Sequence, residues 1–288
     1  MAASAPLLAV DAPSILYRAF YALPDSIKGA DGRPVNALLG AANLILREVE
    51  EHSPRAVALC FGPDAAAYRV ELYDGYHAER PEMPRDLAAQ WALAGDFFAA
   101  FGWEVANHDS LEADDLLGTL ARKEEEAGGR ALILTGDRDM FQCASDRVTV
   151  LYTRTGSRGA EVVGPKEVKA RYGIPPELVP DFIALRGDPS DGIPGASGVG
   201  EKTAAELLRR QGSLEQVLEN AISEGRPKLR SSLLGSREEL LAYKEIATLR
   251  DSDTPLPPDR PTDYAAAGAA AAELGMNRLA ERLRKQAG

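Results

Sequence analysis

The sequence has little cysteine, few aromatic residues and no long apolar run. Its 288 residues include two cysteines, three histidines and two tryptophans. Cys60 lies in an apolar run and Cys143 in the phrase MFQCAS, and two such residues cannot make the framework of a disulfide-rich secreted domain. No stretch approaches the roughly 20 apolar residues of a membrane span, and the first residues lack the basic start of a signal peptide. We therefore expect a cytoplasmic globular protein without a membrane partner.

Positive charge is also scarce. There are 33 lysines and arginines against 44 acidic residues, which gives a formal net charge of -11. Binding to a nucleic acid normally needs a surplus of basic residues for phosphate contacts. If eight of the acids bind metal, however, 36 acidic residues remain against the 33 basic ones. Composition therefore leaves nucleic-acid binding open, beside an acidic enzyme that acts on small molecules.

Apolar runs alternate with stretches of helical spacing in the first half of the chain. The runs at 7–10, 56–61, 131–135 and 148–152 predict buried strands, and helices are predicted at 35–51, 86–101 and 112–126. This order predicts a largely parallel sheet with helices on both faces. From Pro165 to about residue 247 short helices replace strands, followed by a Pro-rich connection at 251–261 and a helical end at 274–285.

Two groups of acids follow predicted strands. Asp11 ends the first strand, and Asp137 and Asp139 follow the strand 131–135 after a glycine. In an extended backbone the pair at spacing two can point the same way, and the carboxyl ends of parallel strands share one edge of the sheet. Capping of a following helix or turn is the alternative at each position.

Two further groups lie on a helix start and on a loop. Glu112, Asp114 and Asp115 open the helix 112–126, where the helix dipole favours each acid by only roughly 0.3–1 kcal/mol. Because residues two apart on a helix diverge by about 200°, Glu112 can join Asp114 only from the turn that enters the helix. Asp188 and Asp191 lie in RGDPSDGIPG, where turn formation is the simpler interpretation.

Taken together, the four groups indicate a site for hard cations. Mg²⁺ and Mn²⁺ prefer oxygen ligands, and the sequence has no His or Cys cluster with the spacing of softer metals. Two such ions about 4 Å apart can promote phosphodiester cleavage. A phosphatase of the haloacid-dehalogenase type is another interpretation of Asp11, but that chemistry needs a second acid where Pro13 stands.

Six motifs in a fixed order carry a family resemblance. They are VDAPSILYRAFYALP (10–24), DGRPVNA (31–37), LEADDLLGTLA (111–121), TGDRDM (135–140), RGDPSDGIPG (186–195) and GVGEKTA (198–204). In this order the chain resembles, from about residue 7 to 250, the bacterial 5′ nuclease family, which includes the N-terminal nuclease domain of DNA polymerase I, phage 5′ nucleases and flap endonucleases.

The resemblance implies a PIN-like α/β fold with a helix-three-turn-helix region that binds DNA. It implies a catalytic domain at 1–164 with a mobile arch near 68–90, a DNA-binding region at 165–250, and a connection with a C-terminal helix at 251–288. The implied activity is a 5′-3′ exonuclease and flap endonuclease of replication and repair. It would act as a monomer on DNA with a 5′ flap, nick, gap or free 5′ end, using two or more Mg²⁺ or Mn²⁺ ions and K⁺ at the helix-three-turn-helix element.

The resemblance also assigns residues. The implied metal ligands are Asp11, Glu112, Asp114, Asp115, Asp137, Asp139, Asp188 and Asp191, and the implied catalytic residues are Asp11, His77 and Arg80. Lys202 lies at a Gly-rich helix start that suits phosphate, and the aromatic and basic patch of Tyr17, Arg18 and Phe20 suits stacking of bases. The full set of predicted DNA contacts is Tyr17, Arg18, Phe20, Arg69, Tyr76, Arg85, Gly198, Gly200, Lys202 and Thr203.

Two positions depart from the family pattern. Gly62 follows Phe61 where the family has Asp, with Asp64 two positions later, and His77 stands where the family generally has Lys. We expect His77 to contact the scissile phosphate more weakly than Lys would. These departures support an alternative function, a scaffold that binds branched DNA but has weakened or lost its catalysis.

Overall fold

A six-stranded sheet forms the centre of the protein. The structure is a computed structural model that describes residues 5–154 and 159–288. The strands are β1 (Leu7–Asp11), β2 (Ala56–Phe61), β3 (Glu104–Asn107), β4 (Ala131–Thr135), β5 (Val148–Thr153) and β6 (Ala160–Val163). They are ordered β3-β2-β1-β4-β5-β6, and all neighbours pair in parallel except β5 and β6. The predicted, largely parallel sheet is confirmed.

The four predicted strands are β1, β2, β4 and β5, with ends that agree within one residue. The sequence did not reveal β3 and β6. Both are four-residue edge strands with exposed or half-buried side chains in most positions, so neither has the continuous apolar run of a buried strand.

Helices cover both faces of the sheet. On one face lie α1 (Ala12–Ala22), α2 (Asn36–His52), α4 (Arg85–Ala99), α12 (Tyr264–Glu273) and α13 (Asn277–Gln286). On the other lie α5 (Ala113–Glu126), α6 (Pro165–Tyr172), α7 (Val179–Arg186), α8 (Glu201–Gln211), α9 (Leu214–Glu219), α10 (Pro227–Gly235) and α11 (Arg237–Ala247). The short α3 (Ala67–Leu72) follows β2, and 3-10 turns occur at Asp139–Cys143, Pro176–Leu178 and Ala221–Ser223.

Alternation along the strands divides the core in two. In β1, Leu7 and Ala9 face the α5 side while Leu8 and Val10 face the α1 and α2 side, and all four are fully buried. Burying a leucine of this kind contributes about 1.5–3 kcal/mol relative to leaving it exposed. Both faces of the sheet are therefore held by apolar packing, and polar groups concentrate at its ends.

The predicted helices correspond to α2, α4 and α5, whose ends differ from the predicted ones by at most two residues. The α5 helix stops before Gly128, which has a φ of 82° that favours glycine. The helical region after Pro165 is also confirmed. Within the described ranges, no helix combines the length and the apolar character needed to cross a bilayer.

Candidate metal centre and DNA interface

Six acidic side chains meet at the carboxyl edge of the sheet, where the strand order reverses between β1 and β4. They come from the end of β1, the turn after β4, the first turn of α5 and the loop between α7 and α8. The six are Asp11, Asp114, Asp137, Asp139, Asp188 and Asp191, and charge repulsion links each of them to others in the set. We call this set the carboxylate group.

Asp11 is both a helix cap and a member of the carboxylate group. One carboxylate oxygen accepts a hydrogen bond from the Ser14 backbone N–H at 3.0 Å, which caps α1, and the other accepts from the Thr135 hydroxyl at 2.6 Å. The carboxylate is buried at 3% exposure. Thr135 therefore fixes the orientation of Asp11 across two neighbouring strands. The sequence motif contained Thr135, but no residue type or spacing marked it as a functional residue.

The turn after β4 orders the next two acids. The Asp137 backbone N–H donates to the Thr135 hydroxyl at 2.9 Å, and an Asp137 carboxylate oxygen accepts from the Asp139 backbone N–H at 2.8 Å. Gly136 is required by close approach, because a Cβ there would lie 2.8 Å from the Ser14 hydroxyl oxygen. The short turn therefore brings both aspartates to the same edge as Asp11.

Glu112 lies on the turn that enters α5, as the geometry of the sequence required, with φ -75° and ψ 165°. Its carboxylate is nevertheless engaged within the protein. One oxygen accepts from the Ala66 backbone N–H at 2.7 Å, and the other accepts from the Tyr76 hydroxyl at 3.0 Å. Of the three acids at this helix start, only Asp114 belongs to the carboxylate group. The role of Glu112 as a direct ligand stays a prediction.

Asp115 and Arg69 form a buried ion pair, which corrects two predictions. Arg69 donates to both carboxylate oxygens of Asp115, at 2.8 and 2.9 Å, and each oxygen accepts a second bond, from the backbone N–H of Glu112 or Arg250. Asp115 is fully buried and Arg69 is 3% exposed. Asp115 is therefore not available as a metal ligand in this conformation, and the prediction that Arg69 contacts DNA is wrong.

Tyr76 needs a similar correction. Its side chain is buried at 5% exposure and its hydroxyl donates to Glu112. It supports the start of α5 from within the protein and does not present a ring to DNA.

Burial raises the pKa of four members of the carboxylate group, and repulsion between acids adds to the increase for three of them. For Asp137 burial comes first and Asp191 second, and together with smaller contributions they raise the pKa to about 7. Burial raises the pKa of Asp114 well above its ordinary value, with further increases from Asp11 and Asp137. Asp139 behaves in the same way. The pKa of Asp11 is also raised by burial, against the opposing effect of its hydrogen bond with Thr135.

These shifts provide a test of whether the carboxylate group suits a cation. Several buried carboxylates in one space must either hold protons or share a positive charge. All six donors are carboxylate oxygens, which match Mg²⁺ or Mn²⁺ better than softer metals. The residues therefore fit divalent cations.

Two arginines outside the loop between α7 and α8 pair with the acids of this loop. Arg186 donates to an Asp188 carboxylate oxygen at 2.9 Å, and Ser190 donates to the other oxygen through its hydroxyl and its backbone N–H. Arg80 contacts Asp191 at 3.1 Å. Part of the negative charge of this loop is thus balanced within the protein.

Gly62 leaves no space for the acid that the family pattern would place there. A Cβ at this position would lie 2.4 Å from the Leu111 carbonyl oxygen and 2.9 Å from two Glu112 backbone atoms. Asp64 does not replace it, since its side chain is 69% exposed and contacts Arg80 at 3.2 Å. The end of β2 therefore contributes no carboxylate to the group.

The remaining predicted DNA contacts differ in exposure. On α1, Tyr17 and Phe20 are half-buried, and Tyr17 contacts the exposed Tyr21 and the half-buried Trp91, which the sequence did not single out. Arg18 donates to the Thr153 carbonyl at 2.6 Å, while its Nε is buried without a hydrogen-bond partner.

At the start of α8 the surface is open. Gly198, Gly200 and Lys202 are exposed and Thr203 is half-buried, and a Cβ at either glycine would meet no atom within 4 Å. Arg85 is exposed at the start of α4. These positions are accessible to a large ligand, and their contacts with DNA stay predictions.

A second group of potential metal ligands lies away from the carboxylate group. Glu48, Glu51 and His52 near the end of α2 have ligand atoms within 4.8 Å of one another. They precede β2, at the opposite edge of the sheet from the carboxylate group. The pairing of Arg47 with Glu48 at 2.8 Å already supplies a positive charge there.

Two family models together match most of the chain. Residues 6–173 match the 5′-3′ exonuclease N-terminal resolvase-like domain, and residues 174–268 match the 5′-3′ exonuclease C-terminal SAM fold. Their boundary lies at 173, where the sequence had suggested 164.

Named relatives agree with these models. A 5′-3′ exonuclease of Mycobacterium tuberculosis is 36% identical over 284 residues, which cover 90% of this chain and 87% of the relative. DNA polymerase I of the same organism is 37% identical over 255 residues, and the thermostable DNA polymerase I of Thermus filiformis is 40% identical over 253 residues. Each match covers 88% of this chain but only 28% and 29% of these polymerases.

Solved structures share the fold. The T5 5′-exonuclease with bound zinc ions has a TM-score of 0.70 at 16% identity, covering 98% of this chain and 100% of that one. The catalytic core of Rad2 in complex with DNA substrate has a TM-score of 0.63 at 15% identity, covering 96% and 92%. The PIN-like sheet with a helical C-terminal region is thus common to all three. Together with the sequence matches over nearly its whole length, this shows that the chain belongs to the 5′-3′ exonuclease family.

Proposed function

We propose that the protein hydrolyses DNA phosphodiesters near 5′ ends, as a 5′-3′ exonuclease and flap endonuclease that depends on divalent cations. The observation that carries this proposal is the convergence of six carboxylates from four segments at one edge of the sheet. Carboxylates that raise one another's pKa are stabilised by a positive charge between them. A phosphodiester is negatively charged, so it also needs positive charge at the site of cleavage.

Asp11, Asp114, Asp137, Asp139, Asp188 and Asp191 would hold the cations, with Mg²⁺ or Mn²⁺ as the proposed ions. When bound, such cations activate water for attack and neutralise charge on the phosphate. Glu112 would support the helix start that carries Asp114 rather than bind a cation itself, since its own oxygens accept hydrogen bonds from Ala66 and Tyr76.

The protein's own groups would position the substrate. Arg80 keeps 36% of its side chain exposed beside Asp191, so its guanidinium is available to a phosphate at the edge of the carboxylate group. The half-buried rings of Tyr17 and Phe20 offer surfaces on which unpaired bases stack.

Duplex binding is proposed for the start of α8. A Cβ at Gly198 or Gly200 would meet no atom within 4 Å, so the surface before this helix is open, and backbone N–H groups at a helix N-terminus bind phosphate readily. Lys202 adds a positive charge, while Glu201 in the same turn opposes it. K⁺ at this turn is part of the proposal and derives from the family resemblance alone.

The names of two structural neighbours support a metal-dependent DNA nuclease. One neighbour is an exonuclease with divalent zinc bound, and the other was solved with a DNA substrate. These properties belong to those proteins, and their common fold makes them suitable guides to the substrates that should be tested.

The experiment is cleavage of 5′-labelled flap, nicked, gapped and blunt duplexes with Mg²⁺ and Mn²⁺ compared. Wild-type protein should release short 5′ products and incise the flap near its junction. Asp137→Ala should lose at least 100-fold in rate while its flap affinity, measured in Ca²⁺ by fluorescence anisotropy, stays within about twofold. Cleavage that survives this substitution would remove Asp137 from the cation site.

A scaffold that binds branched DNA without cutting it is the second candidate. The observation in its favour is the closed space at Gly62, which leaves the end of β2 without an acid. Flap binding without product in either metal, under conditions in which the M. tuberculosis exonuclease cuts, would favour the scaffold.

A further inference from the structure

His77 lies where three segments meet: the loop after β2, the arch and the loop that carries Asp191. Its side chain is only 4% exposed, and its ring stacks on Tyr76 at 3.9 Å between centroids. The backbone has a φ of 54°, a left-handed conformation that residues other than glycine rarely adopt. Contacts around His77 must therefore hold it in place.

Both ring nitrogens are engaged. Nδ1 lies 2.6 Å from the Asp64 main-chain carbonyl oxygen, and because a carbonyl only accepts, Nδ1 carries the N–H. Nε2 lies 3.2 Å from Asp191 Oδ1, and the His77 backbone N–H donates to the Asp191 carbonyl at 3.0 Å. One residue thus holds Asp191 by both main chain and side chain, and ties it to the loop after β2.

The backbones of the two loops are in direct contact at this point. Gly192 has a φ of 76°, and a Cβ there would lie 2.5 Å from the Gly75 carbonyl oxygen. A side chain at 192 would separate the arch from the loop and lengthen every bond from His77 to Asp191. The close approach shows that the contact is built into both segments.

The contacts leave Asp191 with one oxygen available. Oδ1 accepts from Arg80 at 3.1 Å and lies 3.2 Å from His77 Nε2, which donates to it when the ring carries a proton on both nitrogens. Among the described residues no donor contacts Oδ2. The two basic side chains therefore fix the rotation of this carboxylate, and the other oxygen can bind a cation.

We propose that His77 is a positioning residue that orients Asp191 and so sets the affinity of the carboxylate group for divalent cations. This rests on the proposed nuclease function. It differs from the expected contact with the scissile phosphate, because a buried ring with both nitrogens engaged has no donor left for a phosphate. It also ties Asp191 to the loop after β2, in which Gly62 leaves no room for an acid.

The test measures Mn²⁺ binding directly, from the electron paramagnetic resonance signal of free Mn²⁺, together with the cleavage rate. His77→Ala should weaken binding by about tenfold, as loss of a residue that orients a ligand typically does. His77→Gly should also weaken Mn²⁺ binding by about tenfold. Because glycine adopts a positive φ without strain, weaker binding in this variant cannot result from a strained backbone. His77→Lys should not restore affinity, because a single ammonium on a flexible stem cannot bridge Asp64 and Asp191.

Lys285→Ala is the control, since it removes an exposed basic side chain on α13 whose ion-pair partner is Glu281, and it should leave Mn²⁺ binding unchanged. Unchanged Mn²⁺ affinity in the Ala and Gly variants, or full affinity in His77→Lys, overturns the proposal. A lower maximal rate with unchanged affinity also overturns it and points to a phosphate contact. Weakened binding in variants of a protein that never cleaves DNA supports the positioning role and overturns the nuclease function.

Discussion

Replacing Arg69 with methionine should remove a large part of the protein's stability. The guanidinium donates to both oxygens of Asp115 at 2.8 and 2.9 Å and to the Ile246 carbonyl at 2.9 Å. Since Asp115 is fully buried, the substitution leaves its carboxylate without a counter-charge. Removing one partner of a buried ion pair costs about 3–5 kcal/mol, against a total stability of about 5–15 kcal/mol for a typical domain.

The structure places the expected cost near the lower end of this range. Asp115 keeps two backbone donors, from Glu112 at 3.1 Å and Arg250 at 2.8 Å, which satisfy part of the carboxylate. Methionine also fills much of the space of the arginine stem, so a cavity adds little. We expect a loss of about 3 kcal/mol.

Urea unfolding of metal-free protein at pH 7.5 measures this loss as a shift of the midpoint, and heating should show a lower Tm by on the order of 10 °C. Arg122→Met is the matched control, because its partners Glu126 and Asp251 are exposed and such pairs contribute about 0–1 kcal/mol. A cost no larger than that of the control would refute the reasoning. The double variant with Asp115→Leu should regain most of the stability, since neither charge then remains.

Two further predictions concern the edge of the sheet. Because folding raises the pKa of Asp137 to about 7, its stabilising contribution is fully present below about pH 4 and is lost as the pH rises through 7. Metal-free protein should therefore have a lower Tm at pH 7.5 than at pH 5.5, and Asp137→Asn should reduce the difference; a Tm that rises over this interval in both proteins contradicts the electrostatics. Gly62→Ala should cost about 1–3 kcal/mol in urea unfolding, because its Cβ would lie 2.4 Å from the Leu111 carbonyl oxygen. Gly235→Ala, with no atom near its Cβ, is the control, and equal effects would show that the loop before α5 moves freely.

The sheet and much of the carboxylate group could be predicted because both follow from local pattern. Buried parallel strands are continuous apolar runs, and acids at their carboxyl ends share one edge whatever the connections are. Asp11, Asp137 and Asp139 were found in this way. Asp188 and Asp191 were on a loop of no fixed position, so their place in the site rested on the total number of acids and on the ordered motifs of the family.

The roles of Asp115 and Arg69 could not be predicted, because their partnership joins residues 46 positions apart. Acids on neighbouring positions of a helix start look equivalent in sequence, yet Asp114 faces the carboxylate group while Asp115 faces the interior. Arg69 was assigned to DNA binding from the family resemblance, and its burial is unusual because most arginines are exposed. Only the packing of α3 against α5 and α11 shows that its charge serves the fold.

The net charge of -11 is compatible with DNA binding because of where the acids lie. At the carboxylate group, burial raises the pKa values of four aspartates in the metal-free protein, and repulsion from neighbouring acids adds to the increase for Asp114, Asp137 and Asp139. A divalent cation bound there would reduce this repulsion and stabilise the folded state, since ligand binding to the folded state alone stabilises that state. The same ions present positive charge to a phosphate. With cations bound, the same acids that give the chain its negative charge would form a site that attracts a phosphate, which is why the net charge does not argue against the proposed function.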